Sequence, residues 1–342
     1  MTGGYWWALA LALLFSSAPA RADAIADFYR NKTVAFVVGS TAGGSYDLYA
    51  RTIVAHISRY LPGAPNVIVQ TMPGASSLIA AKYVANVAPK DGTVVGVLNS
   101  AAPFQELFGV DAARFGAPSV SWLPSPAGLQ ALLVVMARTK VKTLADLRDH
   151  EVLMATLAPG STPSFYTSLF NDVFKLKMRA ITGHPGMPEA YVAMQVGEVD
   201  GFASTPWLSI QRNYAELLAR GKIRLLLQFG PSRIAELPDV PFAEDLATTD
   251  DDRRLIEVGT APLVLGFPYF LAAGVAPERV EALRNAMTNV MQDSAFLADA
   301  KRQKLDISPM HAAQAQKIVN DAYDAPSNII ERIRRIYGSQ SK

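Results

Sequence analysis

The chain's 342 residues include 32 Lys or Arg and 30 Asp or Glu, a formal net charge of +2, with no basic run or RNA-binding signature, which excludes nucleic acid as a partner. Half the residues are hydrophobic and 18% are charged, enough for large cores, and at roughly 100–200 residues per domain the length suggests two domains. There is no cysteine, which excludes a disulfide framework, a zinc–thiolate site, thiol catalysis and a lipid anchor made through an N-terminal Cys.

The chain opens on "MTGGYWWALALALLFSSAPARADA". The apolar run Trp6–Phe15 is shorter than the ~20 residues a membrane-spanning helix needs. Two serines follow, then Ala-x-Ala spacings at Ala18/Ala20, Ala20/Ala22 and Ala22/Ala24, the layout of a secretory signal peptide. Its first residues carry no Lys or Arg, so an apolar anchor that stays attached is the competing reading. Export is expected, with residues 1–24 removed. No later run approaches membrane-spanning length, so the mature chain is expected to be soluble.

"TVAFVVGS" (Thr33–Ser40) reads as a buried strand, and Tyr49, Ile53, Ile57 and Tyr60 then share one helical face until Pro62 and Gly63. "NVIVQTM" is a second strand. "PGASS" (Pro73–Ser77) is a small-residue turn into a helix through Val84, and "TVVGVLNS" (Thr93–Ser100) is a third strand. Strands and helices alternating through short turns predict an α/β domain with a largely parallel sheet.

The pattern then restarts. "LQALLVVMA" (Leu129–Ala137) is an apolar strand, and Thr143 with Asp146 in "TLADL" reads as a capping box. After "EVLMATLA" comes "PGSTPSFYTSLFNDVF", where Thr162 is placed to cap, Pro163 suits the first helical position, and Phe165, Leu169 and Val173 share a face. "GFAST" and "KIRLLLQFG" complete a second strand set. "ELPDVPFAEDLATTDDD" reads as a Pro- and acid-rich connector before helices at Pro277–Gln292, Ala312–Tyr323 and Asn328–Tyr337. Small-residue turns follow strands at Ser40–Ser45, Pro73–Ser77, Asn99–Ala102 and Ala158–Ser164, the places where open α/β sheets bind ligands.

Among chemical motifs, Gly39-Ser-Thr-Ala-Gly-Gly-Ser-Tyr lacks the lysine of a phosphate loop, and no Gly-x-Gly-x-x-Gly occurs, so a nucleotide is not the expected ligand. Backbone N–H groups at a helix N-terminus suit a carboxylate equally well. Either glycine loop alone could merely turn the chain; "GSTAGGS" and "PGSTPS" in corresponding positions of two lobes favour binding. No Gly-x-Ser-x-Gly or His-Glu-x-x-His is present. Of the scattered His56, His150, His184 and His311, only His184, in the turn "TGHPGMP", is placed to reach a cleft. Asp47 and Arg51 have ion-pair spacing on one helix, and Asp47 reads as a cap sooner than as a ligand contact. Nothing assembles a nucleophile with a base, so no catalytic, metal or cofactor site is expected.

Taken in order, "GGSYDLYAR", "PGASSLIAAKYVANVAPKDGTVVGV", "APGSTPSFY", "GEVDGF" and "IRLLLQFGPSRIAELPDVPFAEDL" resemble the Bug family, the TctC-like substrate-binding proteins of tripartite tricarboxylate transporters. "GVAPERVEALRNAM" and "APSNIIERI" extend the likeness over nearly all the mature chain. The resemblance implies an α/β, bilobed type II periplasmic-binding-protein-like fold with a central cleft and hinge. The lobes would be 25–122 plus 229–342 and 123–228, with crossings near Ser121–Gly128 and Gly221–Gly230. It further implies a monomeric periplasmic protein that closes on a small organic acid and delivers it to membrane transporter subunits. A ligand sensor presenting the same acid to a membrane signalling protein is the alternative, and an exported hydrolase a more distant one.

By the match, the cleft would be lined by Ser40, Thr41, Ala42, Gly43, Gly44, Tyr46, Ser76, Ser77, Asn99, Ser100, Ala101, Gly160, Ser161, Thr162 and Ser164, joined by His184. Such sites hold carboxylates with loop N–H groups, hydroxyls and water in place of an arginine clamp. The hydroxyls expected here are those of Ser40, Thr41, Ser161 and Thr162, beside the N–H groups of Gly43, Gly44 and Gly160. The chain departs from the family pattern at Gly183-His184-Pro185-Gly186 and at Ser204–Trp207, both on the lobe that usually sets specificity.

Overall fold

Two five-stranded sheets organise the chain, one in each of two units. The computed structural model describes residues 18–158 and 160–338, so the apolar run Trp6–Phe15 lies outside the described residues. The first described helix, α1, spans Ala18–Tyr29.

The first unit comprises residues 18–99, 119–126 and 267–312. Its sheet is ordered β2-β1-β3-β10-β4, from β1 (Thr33–Val38), β2 (Asn66–Thr71), β3 (Val94–Val97), β4 (Ser121–Trp122) and β10 (Tyr269–Leu271). β1 runs parallel to β2 and β3, as the alternation of strands and helices predicts. β10 is antiparallel to both β3 and β4, and both added strands come from distant parts of the chain. Helix α2 (Ser45–Ile57) buries Tyr49, Ile53 and Ile57, the spacing read from the sequence. Helix α3 is α-helical only over Leu78–Lys82 and continues as a wider turn to Val87. Helices α9 (Pro277–Gln292) and α10 (Ser294–Arg302) pack near α2. The break between them is set by Asp293, whose carboxylate accepts from the Phe296 N–H at 2.8 Å and starts a new helix that the sequence reading did not anticipate.

The second unit comprises residues 100–118, 127–266 and 313–338. Its sheet is ordered β7-β6-β8-β5-β9: β5 (Ala131–Met136), β6 (Val152–Ala155), β7 (Met178–Ile181), β8 (Gly201–Pro206) and β9 (Ile223–Phe229). β6 is parallel to β7 and β8, whereas β5 is antiparallel to β8 and β9. Every residue of β5 is buried, as its continuous apolar run requires. Helices α4 (Thr162–Phe174), α5 (Met187–Val196), the short α6 (Trp207–Ser209) and α7 (Ala215–Ala219), α8 (Asp250–Leu265), α11 (Ala312–Tyr323) and α12 (Ser327–Gly338) complete it.

Three local expectations are corrected. The cap residue of α4 is Ser161, one before Thr162, and Pro163 sits inside the first turn. Asp146 does reach back to the Thr143 N–H (2.9 Å) and also to that of Lys142 (2.8 Å), but the segment it opens is a tight turn, Ala145–Arg148, rather than an α-helix. The acid-rich end of the expected connector is instead the start of α8: Thr249 Oγ1 accepts from the Asp252 N–H at 3.1 Å, and Asp250, Asp251 and Asp252 occupy the first turn, where the helix dipole favours anions.

The unit boundaries also differ from those expected. Residues 229–266 and 313–338 pack with the second unit. Arg332 of α12 pairs with Asp172 of α4 at 2.5 Å and Asp252 of α8 at 2.9 Å, and the Tyr166 hydroxyl donates to the Gly259 carbonyl at 3.2 Å. The chain passes between units after residues 99, 118, 126, 266 and 312. Gly221–Gly230 is therefore no crossing; β9 runs through it.

Candidate functional site

The sequence-derived site residues fall at the carboxyl ends of parallel strands, in both units. In the first unit, Ser40, Thr41, Ala42, Gly43 and Gly44 follow β1, Ser76 and Ser77 follow β2, and Asn99 follows β3. Ser77 ties these three strand ends together. Its hydroxyl donates to the Gly39 carbonyl (3.0 Å) and accepts from the Asn99 N–H (2.9 Å), and the residue is 2% exposed. A Cβ on Gly39 would lie 2.5 Å from the Ser77 Cβ, so glycine is required there for the loops to meet. Ser77, expected to line the cleft, thus has its hydroxyl engaged with backbone.

The geometry of that turn is unusual. Ala75, Ser76 and Ser77 have φ of 45°, 50° and 75°, three consecutive non-glycine residues in the left-handed region. Each costs roughly 1–2 kcal/mol relative to ordinary backbone, and such strain gathers where a loop is held for function. Ser76 is exposed at the tip.

The β1–α2 loop is held by Asp47. One of its carboxylate oxygens, Oδ2, accepts from the Gly43 N–H and from Arg51 Nε, each at 2.8 Å. Burial works to raise the Asp47 pKa, but the hydrogen bonds from Arg51 and Gly43 and the Arg51 charge outweigh it, leaving the carboxyl below its usual range. Gly43 has φ +82°, a conformation its lack of a Cβ allows. Its N–H, expected to serve a ligand, is engaged with Asp47, and the Gly44 N–H turns back to the Thr41 carbonyl at 3.3 Å. What the loop presents is the start of α2 and hydroxyls: Thr41 is exposed, and Ser40 Oγ is shielded from solvent with no hydrogen-bond partner. Tyr46, half-buried, sets its ring 5.1 Å from that of Phe267.

In the second unit, Gly160, Ser161 and Thr162 follow β6 and lead into α4, His184 follows β7, and Ser100 and Ala101 open the segment after β3. Ser161 Oγ, at the cap position of α4, bonds to nothing and is shielded from solvent. Ser164 is 2% exposed, inside α4. His184 Nδ1 lies 3.1 Å from the Thr156 carbonyl, which can only accept, so Nδ1 carries the proton and the other ring nitrogen offers a lone pair when the imidazole is neutral. This bond, with Gly183 N–H to the Leu157 carbonyl (2.9 Å), ties the β7 loop to the β6 loop.

Six side-chain polar atoms among the described residues are shielded and unpartnered: Ser40 Oγ, Asp47 Oδ1, Ser161 Oγ, Trp207 Nε1, Tyr269 OH and Arg279 Nε. Such atoms are rare enough in native folds that each needs an explanation. Two of them are the serines of the two glycine loops, and Asp47 is the residue that holds one loop. Trp207 was not among the expected site residues, although the "STPW" stretch had marked its position; it follows β8, the strand parallel to β6, as the first residue of α6, and its indole N–H is shielded and unpartnered. No group of three His, Cys, Asp or Glu among the described residues is placed to hold a metal ion.

No protein-family model matches the chain. A UPF0065 protein from the gbd 5′ region of Cupriavidus necator is 26% identical over 333 residues, 94% of this chain and 93% of its own length. A UPF0065 protein of Bordetella bronchiseptica is 28% identical over 269 residues, 75% of this chain and 76% of its own. Among solved structures, a TctC solute binding protein from Polaromonas matches with a TM-score of 0.71 at 19% identity, covering 91% of this chain and 99% of that one. An R. palustris protein with adipate gives 0.61 at 20% identity, covering 90% and 97%, and MatC of Rhodopseudomonas palustris with bound malate gives 0.58 at 19%, covering 90% and 99%. These neighbours share the α/β fold of periplasmic binding proteins, and they are substrate-binding proteins rather than enzymes.

Proposed function

The resemblance to the Bug, TctC-like family holds in fold and in curated relatives alike, and from it we propose that this chain is an exported solute-binding protein that captures a small organic acid and delivers it to a tripartite tricarboxylate-type transporter. The observation that carries the reading is the pair Ser40 and Ser161. Each is a shielded hydroxyl without a partner, each lies in a glycine loop that leads from a parallel strand into a 13-residue helix, and neither loop contains Arg or Lys. An anionic ligand is the group that completes them. At either loop, taken by itself, a carboxylate would accept from the serine hydroxyl and from the first N–H groups of the helix that follows, the helix dipole adding about 0.3–1 kcal/mol. Malate and adipate in two structural neighbours support a dicarboxylate of similar length.

The test is a thermal-shift screen of purified mature protein against C4–C6 dicarboxylates, malate and adipate included. A ligand present at about 100 times its Kd adds about 2.7 kcal/mol to apparent stability. At least one dicarboxylate should raise Tm, and added salt should erode the effect little, because short directional hydrogen bonds are screened less than surface ion pairs. A panel in which no acid raises Tm would contradict the reading.

A further inference from the structure

A groove on the second unit, which starts at the Gly183–His184 turn and runs along α5, has the features of a peptide-binding edge. β7 is the outermost strand of its sheet. In a parallel ladder, alternate residues direct their N–H and C=O groups to the same side. Ile181 and Lys177 direct their carbonyls toward β6, accepting from Thr156 (2.9 Å) and Val152 (3.1 Å), so Met178 and Ala180 direct theirs outward. Asn171 takes up both outward groups of Met178, donating to its carbonyl at 2.7 Å and accepting from its N–H at 3.0 Å. Ala180 has no such cover, and it is exposed.

Helix α5 packs on β6 and β8 of the same sheet and shares a groove with Ile181, the last residue of β7. Val192 and Val196, one turn apart, are 57% and 67% exposed, an unusual placement for two valines on one stripe. They line a groove of about 520 Å³ whose other walls include Ile181 and Pro185. Glu189 and Glu198 also line it, and neither forms an ion pair among the described residues. The nearby cations are already engaged, Arg138 with Asp200 and Arg179 with Glu151. The groove is therefore lined mainly by apolar residues, carries two carboxylates without an ion pair among the described residues, and reaches β7 at Ile181, next in sequence to the outward backbone groups of Ala180.

We propose that this groove receives an extended segment of a separate protein, with alternate apolar side chains and flanking lysines or arginines. The segment pairs its backbone with Ala180 as an added strand, lays its apolar side chains over Val192 and Val196, and sets its basic residues against Glu189 and Glu198. Two uncompensated carboxylates select a basic partner over an acidic one. The inference does not depend on which solute the chain binds.

A fluorescein-labelled peptide of alternating Val and Lys, with a Glu-for-Lys version and a backbone N-methylated version as controls, tests this against the full mature chain. The Val/Lys peptide should bind with a Kd in the micromolar range and both controls about tenfold or more weaker. Ala180→Pro removes only an outward N–H, so it should leave Tm little changed while weakening the peptide about tenfold. The double variant Val192→Glu with Val196→Glu should do the same, and it decides the matter if Ala180→Pro does not fold. In 15N spectra the perturbed amides should be those of residues 180–182, Val192 and Val196. No binding at about 1 mM peptide, equal binding of the Glu-for-Lys peptide, or affinity unchanged in the variants would overturn the proposal. So would capture of the chain by anionic lipid vesicles with no peptide binding. Because the readout is peptide binding, failure here leaves the dicarboxylate reading standing, and the reverse holds too.

Discussion

Ser77 accepts strain in order to place one hydroxyl. Its two hydrogen bonds satisfy the Gly39 carbonyl and the Asn99 N–H, and its φ of 75° is the cost of pointing the side chain there. Ser77→Ala keeps the strain and leaves both backbone groups unsatisfied, a loss of about 1–3 kcal/mol. Ser77→Gly loses the same bonds but relieves the left-handed conformation, worth about 1 kcal/mol. Urea denaturation should therefore rank wild type above Ser77→Gly and Ser77→Gly above Ser77→Ala; an alanine variant as stable as the glycine one would remove the strain from the account. At this scale the sequence was informative about position and much less about use. Strand, glycine turn and helix were legible in "VAFVVGSTAGGSYDLYAR" because apolar spacing and glycine act locally. That Ser77 and the Gly43 N–H are engaged inside the fold was not, because their partners lie on other loops or turn back from the helix.

Elements were legible where a single face of apolar residues announces them, as in α2, α4 and α9. α8 escaped because its first turn is three aspartates, which read as solvated connector although they are favourable at a helix N-terminus. Thr249 is what marks the start of that helix. Thr249→Ala removes the acceptor for the Asp252 N–H and should cost about 1 kcal/mol, in the usual range of about 0.5–2 for a lost cap. Chemical denaturation measures it directly; an unchanged midpoint would mean that the aspartates alone start the helix. β4 and β10 escaped for a different reason. Each has three residues or fewer and is defined only by the pairing partner that tertiary structure brings.

For the whole molecule, two α/β units were foreseeable from the repeat of strand-and-helix sets, but the allocation of chain to them was not. Residues 313–338 join the second unit through long-range pairs such as Arg332 with Asp172, which no local pattern encodes. No helix among the described residues is long and apolar enough to cross a membrane. Export then rests on the N-terminal stretch. Expression in a Gram-negative host should yield mature protein beginning near residue 25, read by N-terminal sequencing; soluble mature protein that retains Trp6–Phe15 would refute cleavage. The central proposal is that each cation-free serine loop, that of Ser40 and that of Ser161, binds carboxylate. Calorimetric titration of malate and adipate, or of whichever dicarboxylate raises Tm, into wild type, Ser40→Ala and Ser161→Ala tests it most directly. Each variant should keep its fold and lose about 1–3 kcal/mol of binding free energy, a weakening of roughly 5- to 150-fold. Wild-type affinity in both variants would contradict the account.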